Sequence, residues 1–313
     1  MDYTTLGRTG LRVSVMGLGC GGPSRLGLKI GGTEADAERV VREALALGIN
    51  FIDTAEAYGT EEVVGRAIRD TPRDQVVLST KVGVHQGDRR ATPGELTERI
   101  ESCLRRLGTE TVDIFHLHGV SADDYEYARD EMLPAVLALR AQGKIRYVGI
   151  TEAFGPDPAH KMLSRAMRDS CWDVVMVGFN LLNQSARERV LASTIERRIG
   201  TLCMFAVRRA LSRQESLRET MKDLVARGLI DADQLDLDDP LGFLLTEGGA
   251  ATVTEAAYRF CRWEPGMDVI LSGTSSIDHL RENAASLSKP ALPAPVIERL
   301  RLLFDGVDCI AGN

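Results

Sequence analysis

The stretch NFIDTAEAYGTEEVVG, residues 50–65, contains one complete strand-to-helix transition and is the most informative segment of the chain. Its apolar start is typical of a buried strand, and a helix is predicted to begin near Glu61. Asp53 falls at the carboxyl end of the strand, and Tyr58 lies in the loop before the helix. In barrels of alternating strands and helices, the carboxyl ends of the strands carry the catalytic groups. The segment therefore predicts one βα unit with two polar side chains in a functional position.

The same alternation of a short apolar run with a longer helical pattern occurs about eight times along the chain. The runs are rich in β-branched residues, which is typical of parallel strands buried on both faces. The predicted strands are Met16–Gly19, Phe51–Asp53, Val76–Lys81, Val112–His118, Ile145–Ile150, Val174–Phe179, Thr201–Phe205 and Val269–Leu271. Between them lie amphipathic stripes with helical spacing. The clearest stripe consists of Leu96, Ile100, Cys103, Leu104 and Leu107.

We predict an α/β fold, a (β/α)8 TIM barrel with an N-terminal β-hairpin and extra C-terminal helices, because such a barrel consists of eight βα units. An open, doubly wound parallel sheet is the alternative architecture. The hairpin would pair Tyr3–Leu6 with Leu11–Val15 around the glycine-containing turn Gly7–Gly10. No domain boundary stands out, so residues 1–313 are predicted to form a single barrel domain.

Two segments depart from the repeating pattern. The longest irregular region runs from Ala206 to Gly249 and contains a charged helical piece, Ser216–Arg227, and an acidic patch at 231–239. Long loops on a barrel are often functional, whereas the acidic patch is interpreted as solvated surface. The last segment is a predicted helix, Ala294–Phe304, followed by a tail, Asp305–Asn313, that is expected to trail off without regular structure.

Composition and charge exclude several classes of protein. The chain has 313 residues and a net charge of −7 with no long basic run, which disfavours nucleic acid as a partner. Six widely spaced cysteines without a CxxC pair argue against a disulfide framework or a zinc site, so no metal is expected. The first residues lack the apolar run of a signal peptide, and no stretch is long enough to span a membrane. We therefore expect a cytoplasmic protein that acts on a small molecule.

Two further strands are predicted to bring polar side chains to the same end of the barrel. The strand at 76–81 ends in Lys81, and the strand at 112–118 ends in His118. The carboxyl ends of parallel strands in a barrel share one face. Both side chains are therefore expected to converge with Asp53 and Tyr58.

These four residue types suit the reduction of a carbonyl group. Hydride addition to the carbonyl carbon produces an alkoxide, which needs a proton. Free tyrosine, with a pKa of about 10, is a poor acid near neutrality, but the Lys81 ammonium beside the phenol would lower the pKa of Tyr58. Asp53 would keep Lys81 charged and in place, and a histidine would orient the substrate oxygen. For the individual residues, a helix-capping aspartate and a structural Lys–Asp ion pair are the alternatives.

The set resembles the catalytic tetrad of the aldo-keto reductase superfamily. The motifs that carry the resemblance are DTAEAYG at 53–59, STK at 79–81 and DIFHLH at 113–118. The resemblance places the tetrad on Asp53, Tyr58, Lys81 and His118. His118 is preferred to His116 because it lies five residues after Asp113, as in the family. The two imidazoles point the same way on a strand, so His116 remains the alternative.

The glycine-rich segment Gly17–Gly22 (GLGCGG) matches the G-x-G-x-x-G pattern of dinucleotide-binding Rossmann folds. In those folds a helix begins at the third glycine, and an acidic residue follows about 20 residues further on. Here the next helix is predicted only near Thr33, and Asp53 lies over thirty residues away. We therefore interpret the glycines as a barrel loop in which Gly21 allows the cofactor or substrate to approach. A Rossmann dehydrogenase is the alternative.

The resemblance implies that a nicotinamide cofactor is held after the fifth strand, on the sixth and after the seventh. The residues at these positions are Thr151, Glu152, Met176, Phe179, Val207 and Arg208. Thr151-Glu152 replaces the family's usual Ser-Asn, and Met176 replaces its glutamine, although Glu152 can still accept a hydrogen bond from the carboxamide NH₂. Phe179 would supply an aromatic face, with a position in the core as the alternative. Arg208 and backbone amides near Val207 would meet the pyrophosphate, with solvated surface as the alternative.

The segment SGTSS at 272–276 and the helix after it resemble the family's site for the adenosine end of the cofactor. The residues implied are Gly273, Thr274, Ser275, His279, Glu282 and Asn283. A helix N-terminus with free amides and hydroxyls is an anion site, and capping of the helix by Ser275 or Ser276 is compatible with it. The family implies NADP(H). NAD(H) is the alternative, because Gly273 and His279 stand where phosphate-selective members carry a lysine or arginine.

The sequence thus predicts an NAD(P)H-dependent oxidoreductase that reduces an aldehyde or ketone to an alcohol, with Tyr58 as general acid. A cofactor-binding regulatory subunit of the same fold, with little turnover, is the alternative. The carbonyl or alcohol substrate is expected to bind among the βα loops. These are residues 21–32, the stretch Ser121–Tyr127 with Tyr125 and Tyr127, the region 206–249 and the tail.

Overall fold

A closed ring of eight parallel strands forms the centre of the computed structural model, which describes residues 1–312. Two short antiparallel pairs, β1-β2 and β6-β7, lie outside the ring. In chain order the strands of the described residues are β1 (Tyr3–Thr5), β2 (Arg12–Ser14), β3 (Met16–Gly19), β4 (Phe51–Asp53), β5 (Val77–Gly83), β6 (His85–Gln86), β7 (Arg89–Arg90), β8 (Val112–Val120), β9 (Ile145–Glu152), β10 (Val174–Gly178), β11 (Gly200–Met204) and β12 (Val269–Ser272). Around the ring the order is β3-β4-β5-β8-β9-β10-β11-β12, and β12 pairs with β3. The predicted barrel is confirmed, and the open sheet is wrong.

Helices pack around the outside of the ring. They are α1 (Glu34–Ala46), α2 (Glu61–Ile68), α3 (Pro93–Leu107), α4 (Tyr125–Tyr127), α5 (Leu133–Ala141), α6 (Lys161–Ala166), α7 (Ala192–Arg197), α8 (Arg209–Ser212), α9 (Gln214–Ala226), α10 (Phe243–Thr246), α11 (Val253–Arg262), α12 (Ile277–Leu287) and α13 (Ala294–Leu303). At the start of α3, Thr92 and Glu95 form a capping box, in which each side chain accepts from the other's backbone N–H. The predicted apolar stripe of α3 is buried along its length.

The N-terminal hairpin of β1 and β2 closes the amino end of the barrel. Leu6, Leu11 and Val13 of the hairpin region are buried in one cluster with inward-facing strand residues such as Phe51 and Val77. Burial of these apolar side chains stabilises the closure by about 25 cal/mol for each Å² removed from water. Apolar side chains therefore fill the amino end of the barrel interior, and Asp53, Lys81 and His118 lie toward its carboxyl end.

Two segments are more ordered than the sequence predicts. The region 206–249 contains α8, α9 and α10, and the helix predicted at Ser216–Arg227 is α9, which begins two residues earlier. Residues 305–312 contain no helix or strand, as expected, but Ile310, Ala311 and Gly312 are hydrogen-bonded to the barrel loops, so the segment does not trail away from the barrel. Asn313, which the predicted domain includes, lies outside the described residues. Within residues 1–312, no helix combines the length and the apolar character needed to cross a membrane.

Gly149 on β9 makes room for the imidazole of His116 on β8. A Cβ at position 149 would lie 2.2 Å from His116 Nδ1 and 2.9 Å from the Val174 carbonyl oxygen. We expect Gly149→Ala to lower the free energy of unfolding by about 1–3 kcal/mol, because an overpacked core forces its neighbours to shift. Urea denaturation measures the effect, and Gly155→Ala is the control, since a Cβ there meets nothing within 4 Å. Equal unfolding midpoints for the two variants would contradict this packing argument.

Candidate active site

A buried ion pair joins the ends of β4 and β5. Lys81 Nζ lies 2.6 Å from Asp53 Oδ2 and also donates to the Thr54 carbonyl oxygen at 2.7 Å. The lysine side chain is fully buried, and that of Asp53 is 4% exposed. Ser79 Oγ donates to the second carboxylate oxygen at 2.9 Å. The ammonium is therefore fixed at one point inside the carboxyl end of the barrel.

Tyr58 lies directly beside this pair. It ends a short 3₁₀ turn, Glu56–Tyr58, and Gly59 then reverses the chain with φ +68°. Lys81 Nζ is 4.9 Å from the centre of the Tyr58 ring. The ring also packs on the backbone of Gly21, where a Cβ would lie only 2.6 Å from ring atoms. The glycine loop thus brings backbone against the phenol; the approach of a cofactor or substrate at Gly21 stays a prediction.

His118 is the histidine that contacts the phenol. Its Nε2 lies 3.3 Å from the Tyr58 hydroxyl, and the two rings meet edge to face with centroids 5.5 Å apart. The nitrogens of His116 are buried without a hydrogen-bond partner among the described residues. The structure therefore brings Asp53, Tyr58, Lys81 and His118 together, and His116 lies outside the group.

Burial sets the protonation states of this cluster. Burial raises the pKa of the Tyr58 phenol above its ordinary value of 10.0, although the nearby Lys81 ammonium lowers it. Burial opposes the charge of Lys81, but Asp53 and Tyr58 outweigh that effect and raise its pKa. Burial and the neighbouring ammonium lower the pKa of His118 to about 3. Near neutrality the cluster therefore consists of a protonated phenol, a charged lysine and a neutral imidazole.

Of the three residues predicted near the nicotinamide on the fifth and sixth barrel strands, one is bonded within the protein by its carboxylate and two face the barrel interior. Thr151 Oγ1 accepts from the backbone N–H of Gly119 at 2.7 Å. The fully buried carboxylate of Glu152 accepts from His160 Nδ1 at 2.9 Å and from Gly178 N at 2.8 Å. Met176 lies in the inner apolar cluster. The Glu152 carboxylate is therefore engaged by protein groups, whereas the side chains of Thr151 and Met176 face the barrel interior.

The structure does not bring Phe179 to the cluster. Its ring is fully buried and stacks on Phe260 of α11, with centroids 5.7 Å apart and planes 6° from parallel. The core position that was the alternative for this residue is the one observed. Tyr125, expected to line a substrate pocket, is also buried and bonds to Asp169 and Trp172 in the helical layer.

Phe205, which sequence analysis did not single out, lies at the carboxyl end of β11. It has φ +68°, a conformation that is rare for an aromatic residue and costs about 1–3 kcal/mol. Its half-buried ring lies 5.7 Å from the ring of Phe154, and the Arg208 guanidinium carbon is 4.0 Å from its centre. Val207, which directly precedes Arg208 in the chain, is partly buried against the core. An aromatic residue immediately after the seventh strand was the available signal.

The loop before α12 packs closely on the backbone of the glycine loop after β3. A Cβ on Gly273 would lie 2.9 Å from the Gly19 carbonyl oxygen. Ser276, rather than Ser275, caps the helix by accepting from His279 N at 3.3 Å. The remaining predicted residues lie just before the helix or within it. Thr274 and Ser275 are half-buried, Glu282 is exposed, and Asn283 Nδ2 donates to Ser272 Oγ at 3.0 Å.

A cleft of about 850 Å³ lies away from this cluster, between the ends of α2 and α3 and beside the start of β5. Five arginines line it. Three of them, Arg66, Arg73 and Arg106, are paired with acidic side chains. These arginines are explained by the fold, so the candidate site remains the cluster at the carboxyl end of the barrel.

Comparisons with known proteins agree with the fold. Residues 18–303 match the model of the aldo/keto reductase family. The chain is 26% identical over 310 residues, 96% of each chain, to Uncharacterized oxidoreductase YqkF of Bacillus subtilis (strain 168). It is 35% identical over 157 residues, 48% of each chain, to L-galactose dehydrogenase of Arabidopsis thaliana. The holo form of aldo-keto reductase AKR11C1 from Bacillus halodurans superposes with a TM-score of 0.73 at 26% identity, covering 97% of this chain and 96% of the other.

Proposed function

Since the chain belongs to the aldo/keto reductase family and is an oxidoreductase of that family, we propose that it transfers a hydride between a nicotinamide dinucleotide and a carbonyl group. The substrate in the reducing direction is an aldehyde or ketone, and Tyr58 is the general acid. The observation that carries the proposal is the contact of one phenol with both a buried ammonium and a neutral imidazole. Tyr58 OH lies 3.3 Å from His118 Nε2, and Lys81 Nζ lies 4.9 Å from the Tyr58 ring.

The residues around the cluster fit a dinucleotide. The N-terminus of α12, flanked by Thr274 and Ser275, offers amides and hydroxyls for a phosphate group. The half-buried ring of Phe205 offers a surface for the nicotinamide, and Arg208 next to it offers a charge for the pyrophosphate.

Two side chains of this chain would act on the substrate carbonyl, and two more would act through the phenol. The bound nicotinamide supplies the hydride. His118 and Tyr58 would hydrogen-bond the carbonyl oxygen and hold it in place. The Tyr58 phenol would then give its proton to the oxygen as negative charge develops there. Lys81 would stabilise the phenolate that is left, and Asp53 would fix the ammonium for that role. In the oxidising direction the phenolate would take the proton back.

NADP(H) is the cofactor that we propose, with NAD(H) as the alternative. Two residues at the site predicted for the adenosine end of the cofactor bear on this choice: Gly273 has no side chain, and His279 is exposed. The arginine on the same helix, Arg281, is held by Glu43 at 2.8 Å. Comparing the dissociation constants of NADPH and NADH by titration of nucleotide fluorescence decides between the two cofactors.

The test of the function is consumption of NADPH or NADH with a panel of aldehydes and ketones, followed by absorbance. Sugars and other alcohols with oxidised cofactor test the reverse direction. Turnover with at least one carbonyl compound or alcohol supports the proposal. Nucleotide binding without turnover across both panels would contradict it and favour the regulatory subunit.

The pH profile of carbonyl reduction follows from the two buried rings. We expect kcat/KM to stay level between about pH 5 and pH 9. His118, with a pKa of about 3, stays neutral over that range, and Tyr58, with its pKa above 10.0, stays protonated. Above pH 10 the rate of reduction should fall as the phenol loses its proton, whereas the rate of alcohol oxidation should rise. A loss of reduction that is centred near pH 7 would contradict these assignments.

A further inference from the structure

The segment 308–312 lies across the loops that follow β10 and β11. Its backbone carbonyl oxygens accept three hydrogen bonds from those loops. Asn183 Nδ2 donates to Ile310 O at 2.9 Å, Asn180 Nδ2 to Ala311 O at 3.4 Å, and Ala210 N to Gly312 O at 3.0 Å. At the start of the segment, Asp308 pairs with Arg189 at 2.7 Å. The segment is thus attached to the loop after β10 and to the loop after β11, which contains Phe205.

Asn180 is the residue through which this attachment reaches Phe205. Its side chain is fully buried, and the same Nδ2 that bonds Ala311 O also donates to Phe205 O at 3.3 Å. Its Oδ1 accepts from the backbone N–H groups of Leu182 and Asn183 at 2.9 and 3.0 Å. Every polar atom of the amide is therefore used, as a buried amide requires.

Phe205 needs such support. An aromatic residue with a positive φ persists only where its surroundings hold it there. The carbonyl of Phe205 is held by the Asn180 amide, and its ring lies between Phe154 and Arg208. Loss of the amide donor would leave this carbonyl without that bond. The backbone would then be free to relax toward negative φ, which would move the ring.

We propose that Asn180 is a positioning residue that couples the segment 308–312 to Phe205, and thereby sets the affinity of the site for the nicotinamide half of the cofactor. This inference rests on the proposed function, because it assigns the nicotinamide to the Phe205 ring. It predicts that substitution of Asn180, or removal of the segment 308–312, weakens the binding of the nicotinamide half of the cofactor more than that of the adenosine half. Binding of the adenosine half, at α12, should be unaffected.

The test compares NADP⁺ with 2′-phospho-ADP-ribose, the same nucleotide without nicotinamide, by titration calorimetry. Asn180→Asp keeps the Oδ1 acceptor but turns an acceptor toward the carbonyls of Phe205 and Ala311. We expect it to raise the dissociation constant of NADP⁺ about tenfold and to leave that of 2′-phospho-ADP-ribose within about twofold. Deletion of residues 308–313 should act in the same direction, by about threefold. The deletion also keeps the inference testable should the substituted protein not fold.

The matched control is Gln184→Glu. Gln184 lies in the same loop, is buried, and its Nε2 donates to two carbonyl oxygens, those of Leu181 and Leu300. Gln184→Glu therefore makes the same change from amide to carboxylate at a residue without contact to Phe205. The ratio of the dissociation constants of NADP⁺ and 2′-phospho-ADP-ribose should stay as it is in the unaltered protein. Equal weakening of both ligands by Asn180→Asp, or an unchanged ratio in both the substitution and the deletion, would overturn the inference. Failure of the unaltered protein to bind NADP⁺ or NAD⁺ would instead count against the proposed function.

Discussion

Tyr58→Phe is expected to reduce kcat for carbonyl reduction by about 10²–10⁴-fold, the usual contribution of a positioned general acid. The phenylalanine ring can keep the packing of tyrosine on Gly21 and near Lys81, because the substitution removes a single oxygen atom. The lost group is the hydroxyl that lies 3.3 Å from His118 Nε2. The fold and the cofactor site should therefore survive while proton transfer is lost.

Steady-state kinetics and nucleotide titration together check this result. The dissociation constant of the nucleotide should change by no more than about twofold, and the loss should fall on kcat and kcat/KM together, since the interaction acts in the transition state. Tyr147→Phe is the control, because it removes a hydroxyl that bonds the Thr9 carbonyl at the sealed end of the barrel. Full activity in Tyr58→Phe would show that another group supplies the proton.

The fold could be predicted because the patterns of its strands and of its helices can both be recognised within short stretches of sequence. Continuous β-rich runs predict strands buried on two faces, and the stripe from Leu96 to Leu107 predicts the buried face of α3. The same strand register places Asp53, Lys81 and His118 at one end of the barrel. Because these residues lie at the ends of neighbouring strands, their positions in sequence were sufficient to predict that they meet, whereas the choice of His118 over His116 came from the family pattern.

Residues beyond the strand ends could not be predicted in this way. Phe205 takes a positive φ, so strand alternation no longer determines where its ring points. Glu152 ends β9, but its carboxylate is engaged by His160, which itself has φ +56° and lies eight residues further along the chain. Neither conformation has a signature in the sequence, because non-glycine residues adopt positive φ only when tertiary contacts hold them there.

The predicted pKa of Tyr58 shows the same limit. Sequence analysis expects Lys81 to lower it, and the ammonium does act in that direction. Burial has the larger effect and raises the pKa, because a phenolate loses its hydration inside the barrel. The depth of a side chain is a property of the whole fold. A set of residue types therefore predicts which charges interact, but not the balance between their interaction and burial.

The second large effect is expected from breaking the buried ion pair. Lys81→Met leaves the Asp53 carboxylate without its cation, and removing one member of a buried pair costs about 3–5 kcal/mol of unfolding free energy. The same variant should lose at least about 10²-fold in kcat, because the phenolate is no longer stabilised. Urea denaturation and steady-state kinetics measure the two losses. Arg259→Met is the control. It removes a buried cation that bonds Glu255 at 3.2 Å and three backbone carbonyl oxygens, although Lys289 still pairs with Glu255, and it should lose stability without losing kcat per folded molecule.

The double variant Asp53→Asn/Lys81→Met separates a catalytic ion pair from a structural one. Removing both charges takes away the uncompensated carboxylate, so most of the lost unfolding free energy should return. Activity should stay low, because no ammonium then lies beside the Tyr58 phenol. If stability and activity recovered together, the pair would serve only the fold, and the tyrosine would need no cation. Recovery of stability alone is the result that a lysine acting on the phenol requires, since charge neutrality can be restored without Lys81 but stabilisation of the phenolate cannot.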